Sequence, residues 1–288
     1  MNHKNCMSAM DPERTCDVRE TQPVVNTPLQ NRVLASLPDD DYRPLAPLLE
    51  VVAMPRGLAL NYDSRCKEYI YFPTTATVSV LSVLKDGDIW ESAVIGNDGL
   101  VGIALVTRDP PSGRIAVVQS PGYGYRLKGR LLASQPGCED ALRRLAFRYM
   151  HVLTTQMTQT GACSRHHKVE QQICRWLLLR LDRITSDDLT VTQGELAHLL
   201  GVHRQCVVAA IKNLQAAGSI THSRGKITVT ERSRLRLLAC ECYGVIRQEI
   251  DRQFPEKTAV GRSESTFKMP RTRPAIVPPF TDLRGIRV

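Results

Sequence analysis

Arginine and glutamine are two of the side chains best able to form paired hydrogen bonds with the edges of purine bases. The segment LLGVHRQCVVAAIKNL sets one of each, Arg204 and Gln205, side by side at the start of an amphipathic run. Val207, Ile211 and Leu214 recur at i, i+4 and i+7 and share one helical face, while Arg204, Gln205, Val208 and Lys212 fall toward the other. The N-terminal end of a helix is already electropositive, so an arginine there is out of place unless it meets something negative. Arg204 can donate two hydrogen bonds to guanine, worth ~1–3 kcal/mol of discrimination, and Gln205 can serve adenine in the same bidentate way.

The surrounding residues are those needed to aim such a pair. Thr192 followed three residues later by Glu195 is a capping box, so a helix begins there and continues through Leu196, Ala197, Leu199 and Leu200. Gly201 supplies the left-handed residue that ends it, and a second helix starts near Arg204. Two short helices joined by a glycine-containing turn form a helix-turn-helix. The segment SITHSRGKITVT then reads as strand, tight Arg224-Gly225 turn and strand, a wing with Arg224 and Lys226 at its tip. Thr192 and Gln193, opening the first helix, are placed to meet phosphate, and the wing cations add sequence-blind contacts. The expected DNA-facing set is Thr192, Gln193, His203, Arg204, Gln205, Val208, Lys212, Arg224 and Lys226.

The rest of the chain divides by pattern. Net charge is +9 and the isoelectric point about 9.2, consistent with a polyanionic partner. Residues 1–28 are polar and aperiodic, an expected disordered arm, and 255–288 form an expected disordered basic tail. LQNRVLASLPDDDYRPLAPLLEVVAM gives two short helical pieces, with Asp39–Asp41 near a helix start. The short apolar runs EVVAM, LALN, YIYF, ATVSVLSVL, IWESAVI, LVGIALV and RIAVVQ, broken by glycine turns that include Asp86-Gly87 and Ser112-Gly113, predict a jelly-roll-like β-roll within 29–136. A helix over 137–161 places Leu142, Leu145, Tyr149, Val152 and Gln156 on one stripe, suited either to a partner helix or to its own barrel. Residues 162–254 complete the winged domain: one helix has Val169, Ile173, Trp176, Leu177 and Leu181 inward, and ERSRLRLLACECYGVIRQEIDRQF reads as a single helix with Leu235, Leu238, Cys242, Val245 and Ile246 on one face. The fold class is α+β.

This pattern resembles the Crp/Fnr family over about residues 29–254. The winged motif carries the more specific match, and YIYFPTTATVSVLSVLKDGDIWESAVIGNDGLVG resembles the family's cyclic-nucleotide-binding-like β-roll. The resemblance implies a homodimeric transcription regulator, paired through residues 138–160, that binds double-stranded DNA at an inverted repeat and is open to contact with RNA polymerase. Arg204 stands at the family's recognition arginine. Gln205 replaces the usual glutamate, Ala209 a frequent second arginine and His203 a common serine, so the resemblance carries DNA binding over to this chain but not the target sequence.

Cyclic-nucleotide-binding members use a glutamate for the ribose and an Arg-Ser or Arg-Thr pair for the phosphate. Here the corresponding stretches are Gly96-Asn97-Asp98-Gly99-Leu100 and Gly113-Arg114-Ile115-Ala116. Asp98 and Arg114 are the candidate effector residues, although Ile115 supplies no hydroxyl; otherwise Asp98 shapes a turn and Arg114 makes a surface ion pair.

The nine cysteines are scattered and odd in number, which fits a reduced cytoplasm. Cys6 and Cys16 are poorly spaced for an iron–sulfur cluster. Cys163, His166, His167 and Cys174 invite a zinc reading, but the side chains would leave a helix in awkward directions. Cys240 and Cys242, two apart on one expected helix, point to different faces. No metal, cofactor or catalytic residue is therefore expected. Cys206 lies beside Arg204, where oxidation would weaken DNA binding. No signal sequence, membrane span, phosphate-binding glycine loop or hydrolase motif is recognisable, and 50–128 contains no histidine, so a cytoplasmic, non-enzymatic protein is expected. A rival reading is a β-roll signalling module whose helix-turn-helix binds a protein partner; salt-sensitive binding dependent on Arg204 separates the two.

Overall fold

The computed structural model describes residues 27–60, 68–84, 88–107, 114–134 and 136–256. Most of the expected arm and tail, Cys6, Cys16 and the Asp86-Gly87 and Ser112-Gly113 turns lie outside them.

Two short helices come first, α1 (Arg32–Ala35) and α2 (Asp39–Leu45). Asn31 caps α1 by accepting from the Val33 and Leu34 amides, and its amide donates to the Pro73 and Gly99 carbonyls. Three aspartates fill the first turn of α2, where the helix dipole favours them.

The β-roll follows as two antiparallel three-stranded sheets. One is ordered β1 (Glu50–Met54), β6 (Gly122–Lys128), β2 (Tyr69–Pro73); the other is β4 (Ile89–Ile95), β3 (Thr77–Val83), β5 (Arg114–Ser120). The run LVGIALV, expected as a strand, is not one. Val101 exchanges both backbone hydrogen bonds with Tyr71, but Gly102 then turns at φ +100°, and Ile103–Thr107 become helix α3. A β-carbon at Gly102 would stand 2.8 Å from the Tyr69 carbonyl oxygen, so the chain can turn there only without a side chain. In the run LALN, described as far as Leu60, Ala59 likewise forms an isolated bridge to Val117.

Helix α4 (Pro136–His166) extends beyond the expected 161. Its stripe of Leu142, Leu145, Tyr149, Val152 and Gln156 is buried, the four apolar members within the β-roll's own core. Of the two readings the sequence allowed, the stripe packs on its own domain. Phe147 and Met150 lie exposed on another face.

Helix α5 (Val169–Leu181) is buried from Gln172 to Leu181, because it is wedged between the β-roll and the C-terminal domain. Two arginines that end this segment are buried beneath carboxylates of the roll. Arg180 donates to Glu91 on β4 and to Ser79 on β3, whose hydroxyl donates to Glu91 at 2.6 Å. Its guanidinium lies 3.5 Å from the centroid of the Trp176 ring. Burial pulls Arg180 below its ordinary range, and the Glu91 charge opposes that pull. Arg183 pairs with Asp98 at 2.7 Å and also donates to the Leu179 carbonyl.

The sequence suggested one long terminal helix; the structure has two. Helix α8 (Arg232–Leu238) stops at Ala239, which is extended, and α9 (Glu241–Gln253) begins after Cys240. Leu235, Cys242 and Ile246 are buried as expected, whereas Val245 is exposed. The break lets α9 return to the roll, where Ile246, Ile250 and Phe254 join the core beside Tyr149. Arg32 ties this return by pairing with Asp251 at 2.7 Å and donating to the Phe254 carbonyl.

Removing one partner of a buried ion pair strands the other charge, at a cost of about 3–5 kcal/mol. Glu91→Ala is accordingly expected to lower the urea-unfolding free energy by about that amount, and Glu91→Leu with Arg180→Met by less. A loss under ~1 kcal/mol for Glu91→Ala, the value typical of an exposed pair, would mean the interface does not depend on this contact.

Candidate nucleic-acid interface

The winged motif forms as its residues dictate. Helix α6 (Gln193–Leu200) is capped by Thr192, whose hydroxyl accepts from the Glu195 amide at 3.1 Å, while the Glu195 carboxylate accepts from the Thr192 amide at 2.8 Å. Gly201 ends it at φ +66°. Helix α7 (Arg204–Ala216) follows directly, with Val207, Ala210, Ile211 and Leu214 buried in one cluster with Leu196, Leu199 and Leu200 of α6 and Ile173 and Leu177 of α5. The opposite face, Arg204, Gln205, Val208, Ala209 and Lys212, is exposed.

The first turn of α7 contains no acid, and His203 makes no capping bond. The Arg204, Gln205 and Lys212 side chains have no hydrogen-bond or ion-pair partner among the described residues. A cation at a helix N-terminus costs roughly 0.3–1 kcal/mol, and no partner among the described residues offsets it. Donors held this way are available to an external acceptor. Thr192 is exposed, and its hydroxyl oxygen serves the cap while its O–H has no acceptor among the described residues; Gln193 is partly buried.

The wing is a three-stranded sheet, β7 (Asp188–Thr190), β9 (Lys226–Val229), β8 (Ile220–Ser223). Sequence reading missed β7, although the alternation in DDLTV could have marked it. The hairpin tip places Arg224 at φ +48° and Gly225 at φ +76°, the pair of positive angles that a two-residue turn between twisted strands prefers. Arg224 is exposed. Lys226 is also exposed, but its ammonium pairs with Asp188 at 2.6 Å. Hydrogen bonds from Lys226 and Thr228 hold the Asp188 carboxyl below the ordinary range. The pair's contribution is therefore present at neutral pH and lost as pH falls through that lowered value.

At the turn itself, Arg56 of the roll reaches the capping carboxylate of Glu195 at 2.8 Å, and Trp90 lies against Gly201. The candidate effector residues are not brought together. Asp98 is buried, accepting from Arg183 at 2.9 Å and from the Gly96 amide at 3.3 Å, so it shapes its turn and anchors α5. It follows the end of β4 at which Ile95 pairs with Val78, whereas Arg114, exposed, pairs with Ser82. Those ends of β3 lie about 13 Å apart at ~3.3 Å per residue, so the two side chains leave the roll from opposite ends of that strand.

With that geometry established, residues 171–238 match the family model of the Crp-like helix-turn-helix domain. The segment is a Crp-like helix-turn-helix domain. Solved structures share the wider fold. A protein assigned to the crp/fnr family from Eubacterium rectale is 14% identical, with 74% of this chain and 97% of that chain covered at a TM-score of 0.52. FixK2 from Bradyrhizobium japonicum is 16% identical, with 67% and 98% covered and a TM-score of 0.52. A CRP-family transcriptional regulator from Thermus thermophilus is 17% identical, with 66% and 96% covered and a TM-score of 0.53. No curated protein sequence matches the chain. The β-roll, long helix and C-terminal Crp-like domain thus form the architecture of Crp/Fnr structures, and the domain match supports a DNA-binding transcription regulator.

Asp188→Asn would free Lys226 for a phosphate. Each added phosphate contact steepens the slope of log affinity against log salt by ~0.9. Anisotropy titrations on duplex DNA across a salt series should show that steepening in the variant, and an unchanged slope would place Lys226 outside the interface.

Proposed function

We propose that this chain is a homodimeric, sequence-specific DNA-binding transcription regulator that reads an inverted-repeat operator through α7. The observation that carries the reading is the uncompensated, unpaired cationic start of α7, exposed opposite a fully buried face. Arg204 and Gln205 read purine edges, Val208 offers an apolar contact to thymine methyl, and His203 and Lys212 flank them. Thr192 and Gln193 fix register on the phosphate backbone, and Arg224 holds the wing to it with whatever share of Lys226 Asp188 releases.

The dimer forms along α4, within the 138–160 span, but not through the stripe that the roll already buries. Phe147, Met150 and Thr154, at spacings of three and four, give the free seam, with Phe147 and Met150 its exposed apolar members; Met157, next along the stripe, is half-buried against the core. Pairing there sets the distance between the two α7 helices, which must match about one DNA turn, roughly 34 Å. The regulator is proposed to be cytoplasmic and non-enzymatic and to act with RNA polymerase. Among the described residues no helix is long and apolar enough to cross a membrane.

Arg204→Ala is expected to lower preference for a selected site over bulk duplex by roughly 5- to 150-fold, the equivalent of ~1–3 kcal/mol, while leaving the fold as stable or slightly more so. Equal weakening on all sequences would assign Arg204 to phosphate instead. Phe147→Glu is expected to convert the dimer to monomer in analytical ultracentrifugation and to abolish binding to a two-half-site duplex. A wild-type chain that sediments as a monomer would contradict the dimeric mechanism.

A further inference from the structure

Four potential metal ligands meet where α4, α5 and α9 converge. Cys163 lies near the C-terminal end of α4, His167 in the turn between α4 and α5, Cys240 at the cap of α9 and Cys242 in its first turn. Their ligand atoms all lie within 4.8 Å of one another. The Cys163 and Cys240 sulfurs are 3.5 Å apart, and the Cys242 sulfur is 3.6 Å from His167 Nδ1. Tetrahedral zinc, with Zn–S near 2.3 Å, holds its sulfurs about 3.8 Å from each other. A polynuclear iron–sulfur cluster distributes its cysteines over several irons and needs wider spacing than this.

Three further observations distinguish the group from cysteines that merely fill a core. The three thiols are buried as a cluster of their own, with no buried aliphatic side chain among them. The remaining ring nitrogen of His167, Nε2, is 3.2 Å from a Glu241 carboxylate oxygen. That is the outer-shell partner a metal-bound histidine characteristically has, fixing the tautomer that leaves Nδ1 free to ligate. Finally, the chain is extended at Ala239 and Cys240, between α8 and α9. Without that break the two cysteines of Cys-x-Cys would face different ways, which is why the sequence suggested no shared site. His166 and Cys174, the other members of the sequence's zinc reading, do not belong to this group.

We propose that Cys163, His167, Cys240 and Cys242 form a structural zinc site of the Cys3His type. On binding, each of the three thiols gives up its proton to solvent and His167 ligates as the neutral imidazole, with no change of oxidation state. The ion closes the junction at which the proposed dimer helix, the helix-turn-helix and the returning C-terminal helix meet. It is independent of the DNA-binding reading, since it concerns metal content alone.

The test uses the full-length chain purified under reducing conditions. Elemental analysis is expected to give one zinc per chain. After chelation, titration with cobalt(II) is expected to produce the intense d–d bands of tetrahedral cobalt with thiolate-to-cobalt charge transfer, saturating at one equivalent. Cys242→Ser should lose the zinc, and His167→Cys should keep it with a spectrum shifted toward four-thiolate cobalt. A wild-type chain that contains no zinc and gives no tetrahedral cobalt spectrum, while its circular dichroism stays helical, overturns the proposal. So does full zinc retention by Cys242→Ser. If that variant fails to fold, the wild-type cobalt titration decides alone.

Discussion

A guanidinium removed from water must be paired, because an isolated buried charge costs several kcal/mol. Arg180 and Arg183, at the end of α5 and just beyond it, are both buried, and the carboxylates that pair with them, Glu91 and Asp98, come from the β-roll. This requirement fixes where α5 can sit. Once α5 is held against β4, Ile173 and Leu177 supply the surface on which Val207, Ile211 and Leu214 of α7 pack. The exposed face of α7, with Arg204 and Gln205, is thereby oriented relative to the roll and to α4. The roll's carboxylates thus act as anchors for the DNA-reading half, and Asp98 in particular is committed to that task.

Within the interface the electrostatics are uneven. Arg204 and Lys212 remain unpaired, whereas Lys226 is neutralised by Asp188 and Arg56 is matched to the capping carboxylate of Glu195. Of these two free cations, Arg204 stands at the end of α7 where the helix dipole already repels it. A partner that brings phosphate close to that end relieves both. This is the physical answer to why an arginine opens the helix.

The segment from Val191 to Thr230 was legible residue by residue because each signal in it is local. The Thr192–Glu195 capping box, the left-handed Gly201 and the Arg224-Gly225 turn depend on neighbours within a few positions. What escaped sequence reading depends on partners far along the chain. The α4 stripe could serve a second helix or the roll, and only the return of α9 and the position of β4 decide it. LVGIALV is apolar enough for a strand, but one bridge to Tyr71 and the turn at Gly102 leave nothing for it to pair with. A continuous helix would point Cys240 and Cys242 to different faces; the extended residues Ala239 and Cys240 bring them together. Asp98 showed its turn-forming role in sequence, but not Arg183, which comes from the other domain.

The most direct test of the central claim is selection of binding sites from a random duplex pool by the purified chain at near-physiological salt. The account predicts enrichment of an inverted repeat whose guanine-containing half-sites are centred about one helical turn apart, roughly 34 Å. Binding that shows no sequence enrichment at any salt concentration would contradict it.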